Sequence, residues 1–167
     1  MNPMTKQLQI AKEMQQQLVN FKFTNSQFAE ILSINESTYR KLKANDDLIN
    51  ATWYLTNCLI DLHATIDRLQ KEGKELTISN ITKAYIPNYA DIEKAMSVLQ
   101  NPPSFAEISK LTKIPKATLY QLTNSPEKMQ KTKWHRVYKL ARLDELFSDI
   151  NRYKSSRIAE YLRLNSN

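Results

Sequence analysis

The residues able to do covalent or metal chemistry are few and scattered. The chain holds one cysteine, Cys58, and two histidines, His63 and His135. A zinc site needs three or four such ligands at short spacing, and none is offered here. No nucleophile stands beside a base, and no carboxylate pair has a reason to share a pocket. Neither an enzyme nor a metal nor a cofactor is expected. A lone cysteine makes no internal disulfide, so a reducing cytoplasm is the expected compartment. Cys58 shares its helical pattern with Leu55, Leu59 and Leu62 and reads as a small core residue. Trp53 and Trp134 each sit on an apolar stripe and are expected in the core.

Charge is the remaining chemical resource. The 167 residues carry a net charge of +7, which favours a polyanionic partner. The excess is uneven. Residues 1 to 83 hold ten Lys+Arg against nine Asp+Glu, a net of +1, whereas residues 84 to 167 hold fourteen against eight, a net of +6. No apolar run approaches the roughly 18 residues of a membrane span. The opening MNPMTKQLQI lacks the basic start and apolar stretch of a secretory signal. No membrane partner is expected, and nothing points to a small-molecule ligand.

The elements that must position those charges are helical. A single glycine, Gly73, leaves little material for hairpin turns or phosphate loops. Apolar residues at Leu8, Ala11, Met14, Leu18 and Phe21 mark a first helix. TNSQFAEIL supplies caps at Thr24 to Ser26 and a buried side at Phe28, Ala29, Ile31 and Leu32. SINESTYRKLKAN reads as a turn and a third helix, and a long helix carrying Trp53, Leu59, Leu62, Ile66 and Leu69 ends at Gly73 as C-cap.

The same order then returns. INESTYRKL at 34 to 42 and IPKATLYQL at 114 to 122 share Ile, Thr and Leu at matching places, and FAEI occurs at 28 to 31 and again at 105 to 108. A long helix with Trp134 follows the second window as one with Trp53 follows the first. This pattern predicts an internal duplication of a four-helix unit. The expected boundaries are a first unit over 1–75, a connector over 76–89 with Ser79 as a helix cap, a second unit over 90–150, and a basic helix or tail over 151–167. In the tail, Ile158, Tyr161 and Leu162 are spaced for an amphipathic helix, with Arg152, Lys154, Arg157 and Arg163 on its other faces.

The repeated stretch resembles the helix-turn-helix units of Cro/CI-type (XRE-type) repressors. In that family a small residue on the second helix is followed four positions later by a turn glycine, then by buried positions at fixed places. The corresponding residues are Ala29, Ser33, Ile34, Tyr39 and Leu42 in the first unit, and Ser109, Lys113, Ile114, Leu119 and Leu122 in the second. Ser33 and Lys113 depart from the turn glycine. The resemblance implies an all-α fold of two four-helix units, each with a helix-turn-helix, arranged as an internal pseudo-dimer. It implies a double-stranded DNA partner, either as a monomer with internal pseudo-symmetry or as a homodimer.

By that resemblance, Pro115, Lys116, Ala117, Thr118, Tyr120 and Gln121 form the reading side of the second recognition helix, followed by Asn124. Gln pairs with adenine, Lys reaches guanine acceptors and an Ala methyl packs on thymine. Lys131, Lys133 and Arg136, with Lys128 and Lys139 nearby, are placed where the family grips the phosphate backbone. In the first unit the counterparts are Asn35, Ser37, Thr38, Arg40, Lys41 and Lys43, set against Glu36, Asp46 and Asp47. The implied role is transcriptional regulation, or marking of a plasmid or phage locus as a conjugation accessory protein. A module of the same fold that docks a protein partner is the alternative.

Overall fold

The computed structural model describes residues 2–100, 102 and 104–164; for 152–159 and 161 it describes the helical backbone alone. All regular structure among the described residues is helical: ten α-helices and one 3-10 turn. They pack as two compact units, one formed by residues 1–89 with 130–135, the other by 90–129 with the remainder.

The first unit begins with α1 (Pro3–Gln17), capped by Asn2, whose side chain accepts from the Thr5 amide at 2.8 Å. A 3-10 turn (Leu18–Asn20) leads to α2 (Asn25–Leu32). Thr24 starts α2 with a reciprocal capping box: its hydroxyl accepts from the Gln27 amide, and the Gln27 side chain accepts from the Thr24 amide. After a tight turn, α3 (Glu36–Ala44) lies against α2, and α4 (Trp53–Lys71) packs along α1. Gly73, at φ +70, closes α4; its amide and that of Lys74 return to the carbonyls of Gln70 and Leu69.

Ala11, Met14, Phe28, Leu42, Leu59, Leu62 and Leu69 fill the core between these helices. The stretch 76–89, read from sequence as a connector, contributes α5 (Ile78–Ala84) to this unit, with Ile81 fully buried. Its cap is Thr77 rather than Ser79; the Thr77 hydroxyl accepts from the Asn80 amide at 3.1 Å. Ser79 stands one residue inside the helix, where its own hydroxyl cannot reach the first-turn amides.

A strip from the far end of the sequence completes the first unit. Thr52 and Lys133 form an antiparallel bridge. The Trp53 amide donates to the Thr132 carbonyl and the Trp134 amide to the Ala51 carbonyl, both at 2.8 Å, and the His135 amide donates to the Ile49 carbonyl at 3.2 Å. Both tryptophans are buried.

The second unit runs α6 (Ala90–Gln100), α7 (Phe105–Thr112), α8 (Lys116–Leu122), α9 (Pro126–Lys131) and α10 (Trp134–Leu164), the ends of α9 and the start of α10 lying in the strip just described. Ile92, Val98, Leu99, Ile108, Leu119, Leu122, Val137 and Leu140 form its core. Arg142 and Glu145 on α10 pair with Asp91 and Lys94 on α6. Burial pushes the Asp91 carboxyl above its ordinary range, against the pull of Arg142. The short α9, which was not among the expected helices, is capped by the Ser125 hydroxyl. No Pro or Gly interrupts residues 134 to 164, and the expected break near 150 is absent: α10 is one helix. Of the expected tail stripe, the side chains of Ile158 and Tyr161 lie outside the described residues, as do those of Arg152, Lys154 and Arg157.

Candidate nucleic-acid interface

In the second unit the turn between α7 and α8 is built from local hydrogen bonds. Ser104 caps α7 by accepting from the Glu107 amide. At the other end Lys113 adopts the left-handed conformation (φ 63°, ψ 18°), and its amide reaches the Ser109 carbonyl at 2.8 Å. The buried Thr112 hydroxyl donates to the Ile108 carbonyl and accepts from the Ile114 amide. Proline at 115 then sets an extended step before α8 begins.

Three apolar residues hold α8 down. Ile114, Leu119 and Leu122 are each at most 3% exposed. The helical period therefore turns Lys116, Ala117, Tyr120 and Gln121 outward, and all four are exposed. Thr118 is half-buried. Tyr120 is 61% exposed, and its ring meets Phe105 on α7 edge to face, with centroids 4.5 Å apart. That contact fixes where the phenol points while leaving it accessible. Asn124 is exposed and left-handed (φ 61°), so it serves the turn into α9 before it can serve any ligand.

Two cations here escaped the sequence reading. Lys110 and Lys113 are exposed and, with Lys116, stand at steps of three along α7, the turn and α8. Their spacing is the available signal; in the family pattern Lys113 stands only as a departure from the turn glycine. Of the expected backbone-gripping residues, Lys128 is exposed and Arg136 half-buried in this unit. Lys131 and Lys133 are exposed but belong to the strip that packs with the first unit.

The first unit repeats the turn. Ser33 is left-handed (φ 56°, ψ 41°), its amide reaches the Ala29 and Glu30 carbonyls, and the Ile34 amide returns to Ala29. Below α3, Tyr39 stacks on Phe28 of α2, centroids 5.2 Å apart and planes 17° off parallel. Burial carries the Tyr39 phenol far above its ordinary range. From α1, the Gln15 amide donates at 2.7 Å to both the Leu42 and Asn45 carbonyls, tying down the C-terminal end of α3.

The outer side of α3 is internally engaged. Asn35 caps the helix by accepting from the Thr38 amide at 2.7 Å. Arg40 pairs with Glu36 at 2.6 Å, one turn earlier. Lys43 donates to Asn25 at 3.1 Å and lies over the Tyr39 ring at 5.7 Å. Ser37 and Lys41 are exposed, and Thr38 is half-buried. An open groove of about 380 Å³ beside the end of α3, lined by Leu8, Lys12 and the loop Asn45–Ile49, mixes both signs of charge. Among the described residues no group of three or more His, Cys, Asp or Glu is placed to hold a metal ion. No helix is long and apolar enough to cross a membrane, again among the described residues.

Comparison with protein-family models, with curated proteins and with solved structures found no match.

Proposed function

We propose that the chain binds double-stranded DNA, with α8 as its principal reading helix. The observation that carries this reading is the division of α8. Leu119 and Leu122 are buried, while Lys116, Ala117, Tyr120 and Gln121 stand exposed beside two further cations, Lys110 and Lys113. A base-reading helix needs such a face: fixed from behind, and carrying donors, acceptors and a methyl in front. The second unit, residues 90–129 with 136–167, holds twelve Lys+Arg against eight Asp+Glu, and this net of +4 supports attraction to phosphate.

The two helix-turn-helix stretches are read as an internal duplication. In support, α7 starts and ends 80 residues after α2, α8 starts 80 residues after α3, and the left-handed residues Ser33 and Lys113 are also 80 apart. Linking two such units in one chain raises the effective concentration of the second once the first is bound. The unequal engagement of their outer faces supports a reading in which the second unit supplies most of the DNA affinity. The biological role we infer is transcriptional regulation or marking of a plasmid or phage locus, including an accessory part in conjugation. For the first unit, the Glu36–Arg40 pair and the engaged Lys43 favour a second reading, in which α3 docks a protein partner.

The test is fluorescence anisotropy of the full chain with a mixed-sequence 30-base-pair duplex across a salt series. Three phosphate contacts, of the kind Lys110, Lys113 and Lys128 can supply, give a slope of about −2.7 in log affinity against log salt. Absence of binding at low salt would remove the DNA reading and leave the partner-docking one.

A further inference from the structure

The two units differ by one piece. In the first, α4 stops at Gly73, and α5 folds back to pack on both α2 and α4. Ile31 on α2 and Ile66 and Leu69 on α4 share one buried cluster with Ile81 of α5, and Thr65 beside them is buried as well. In the second, α10 meets no glycine and runs on as one helix, so no counterpart of α5 exists among the described residues. The helix-turn-helix stretches align at an offset of 80 residues and α4 aligns with α10 at 81, which sets Trp53 on Trp134, Leu59 on Leu140 and Leu62 on Leu143, each of them buried. On that alignment Ile31, Thr65 and Leu69 become Leu111, Leu146 and Ile150. The first three are at most 3% exposed, whereas the second three are 61%, 53% and 40% exposed. Phe147, in the place of Ile66, is half-buried.

Apolar side chains at positions that the first unit covers mark a seat without its occupant. We propose that Leu111 of α7 with Leu146, Phe147 and Ile150 of α10 forms a docking site for a short amphipathic helix of a protein partner, seated as α5 is seated in the first unit. The chemistry of the occupant is read from α5. That helix spans seven residues, and Ile78, Ile81 and the following Tyr85, at helical spacing, are the residues it packs against the core. One position changes sign. Arg68 donates to the Ala84 carbonyl at the C-terminal end of α5, and its counterpart on α10 is Asp149. A carboxylate accepts where a guanidinium donates, so the docked helix carries Lys or Arg in its last turn, as α5 itself carries Lys83. The proposal rests on reading the two units as repeats and is independent of DNA binding.

The probe is a synthetic peptide of residues 76–88, LTISNITKAYIPN, blocked at both ends and added to the isotope-labelled full chain. A free peptide of this length is mostly unfolded, so binding is expected only at several hundred micromolar. Amide resonances of Leu111, Leu146, Phe147 and Ile150 should shift saturably. Leu146→Ser combined with Ile150→Ser, at two exposed positions, should weaken binding at least tenfold, and Val19→Ser on the first unit should leave it unchanged. The same Leu146→Ser, Ile150→Ser chain should keep its duplex titration, so failure here and failure of the DNA reading are separate results. No saturable shift at millimolar peptide overturns the site, and a peptide with Ile81→Ser that binds equally well overturns the parallel with α5. Two results from the chain without peptide also overturn the proposal: shifts of these four amides with protein concentration, which make a second copy the occupant, and contacts from residues after 151 to Leu111, which make it the chain's own end.

Discussion

Replacing the two left-handed residues by glycine should stabilise each unit separately. Ser33 at φ 56° and Lys113 at φ 63° hold conformations that cost a side-chain-bearing residue roughly 1–2 kcal/mol. Glycine removes that strain and returns about 0.4–1 kcal/mol through its freer unfolded chain. The net expectation is about 0.5–1 kcal/mol for each site. Both side chains are exposed, so neither substitution opens a cavity. For a unit of this size such a gain raises Tm by about 2–8 °C. The two tryptophans belong to the first unit, so their fluorescence reports Ser33→Gly, while far-UV circular dichroism reports Lys113→Gly as well. Ser33→Ala keeps the Cβ atom and should bring no gain. A Ser33→Gly transition at or below the parent's, or an equal gain from alanine, would refute the assignment of strain to this turn.

Lys116→Ala combined with Gln121→Ala should weaken binding to a cognate duplex by about 2–6 kcal/mol, at one to three per base contact, with circular dichroism unchanged; intact affinity in the anisotropy assay would remove α8 as the reading helix. Burial, more than the nearby Asp61, pushes the Cys58 thiol up to about 12, and burial does the same for the Tyr54 phenol. The unfolded chain releases these protons near 9 and 10, before the folded one does, so their contribution to stability is complete below pH 9 and is lost as pH rises toward 12. Denaturant midpoints from tryptophan fluorescence should therefore fall between pH 9 and 11, and a thiol reagent at pH 8 should label Cys58 only on unfolding. Full-rate labelling of the folded chain would contradict the burial.

What the sequence disclosed was local. Thr24 announced its helix because a cap needs only a hydroxyl two or three residues ahead of a backbone amide. Gly73 announced the end of α4 because a left-handed C-cap needs only a residue without a Cβ atom. The resemblance to the helix-turn-helix pattern named the buried residues of α3 and α8, Tyr39, Leu42, Leu119 and Leu122, and implied which positions face outward. What escaped was long-range or backbone-borne. Nothing in the types of Thr132 and Lys133 says that their backbone meets Ala51, Thr52 and Trp53, because any residue can offer those groups. Gln15 as a clasp on α3, and Arg40 as the partner of Glu36 in place of a free cation, depended on which of several neighbours a flexible side chain would choose.

The strip at residues 130–135 also bears on how the chain comes off the ribosome. When residue 89 emerges, the amide of Trp53 and the carbonyls of Ala51 and Ile49 still await donors and acceptors that are some 40 codons away. Closing a loop of roughly 80 residues costs about 4 kcal/mol in its length-dependent part alone. Formation of α6 to α9 shortens the free part of that loop before the strip docks. The half that is made first is thus completed only after α6 to α9 of the other half have been synthesised.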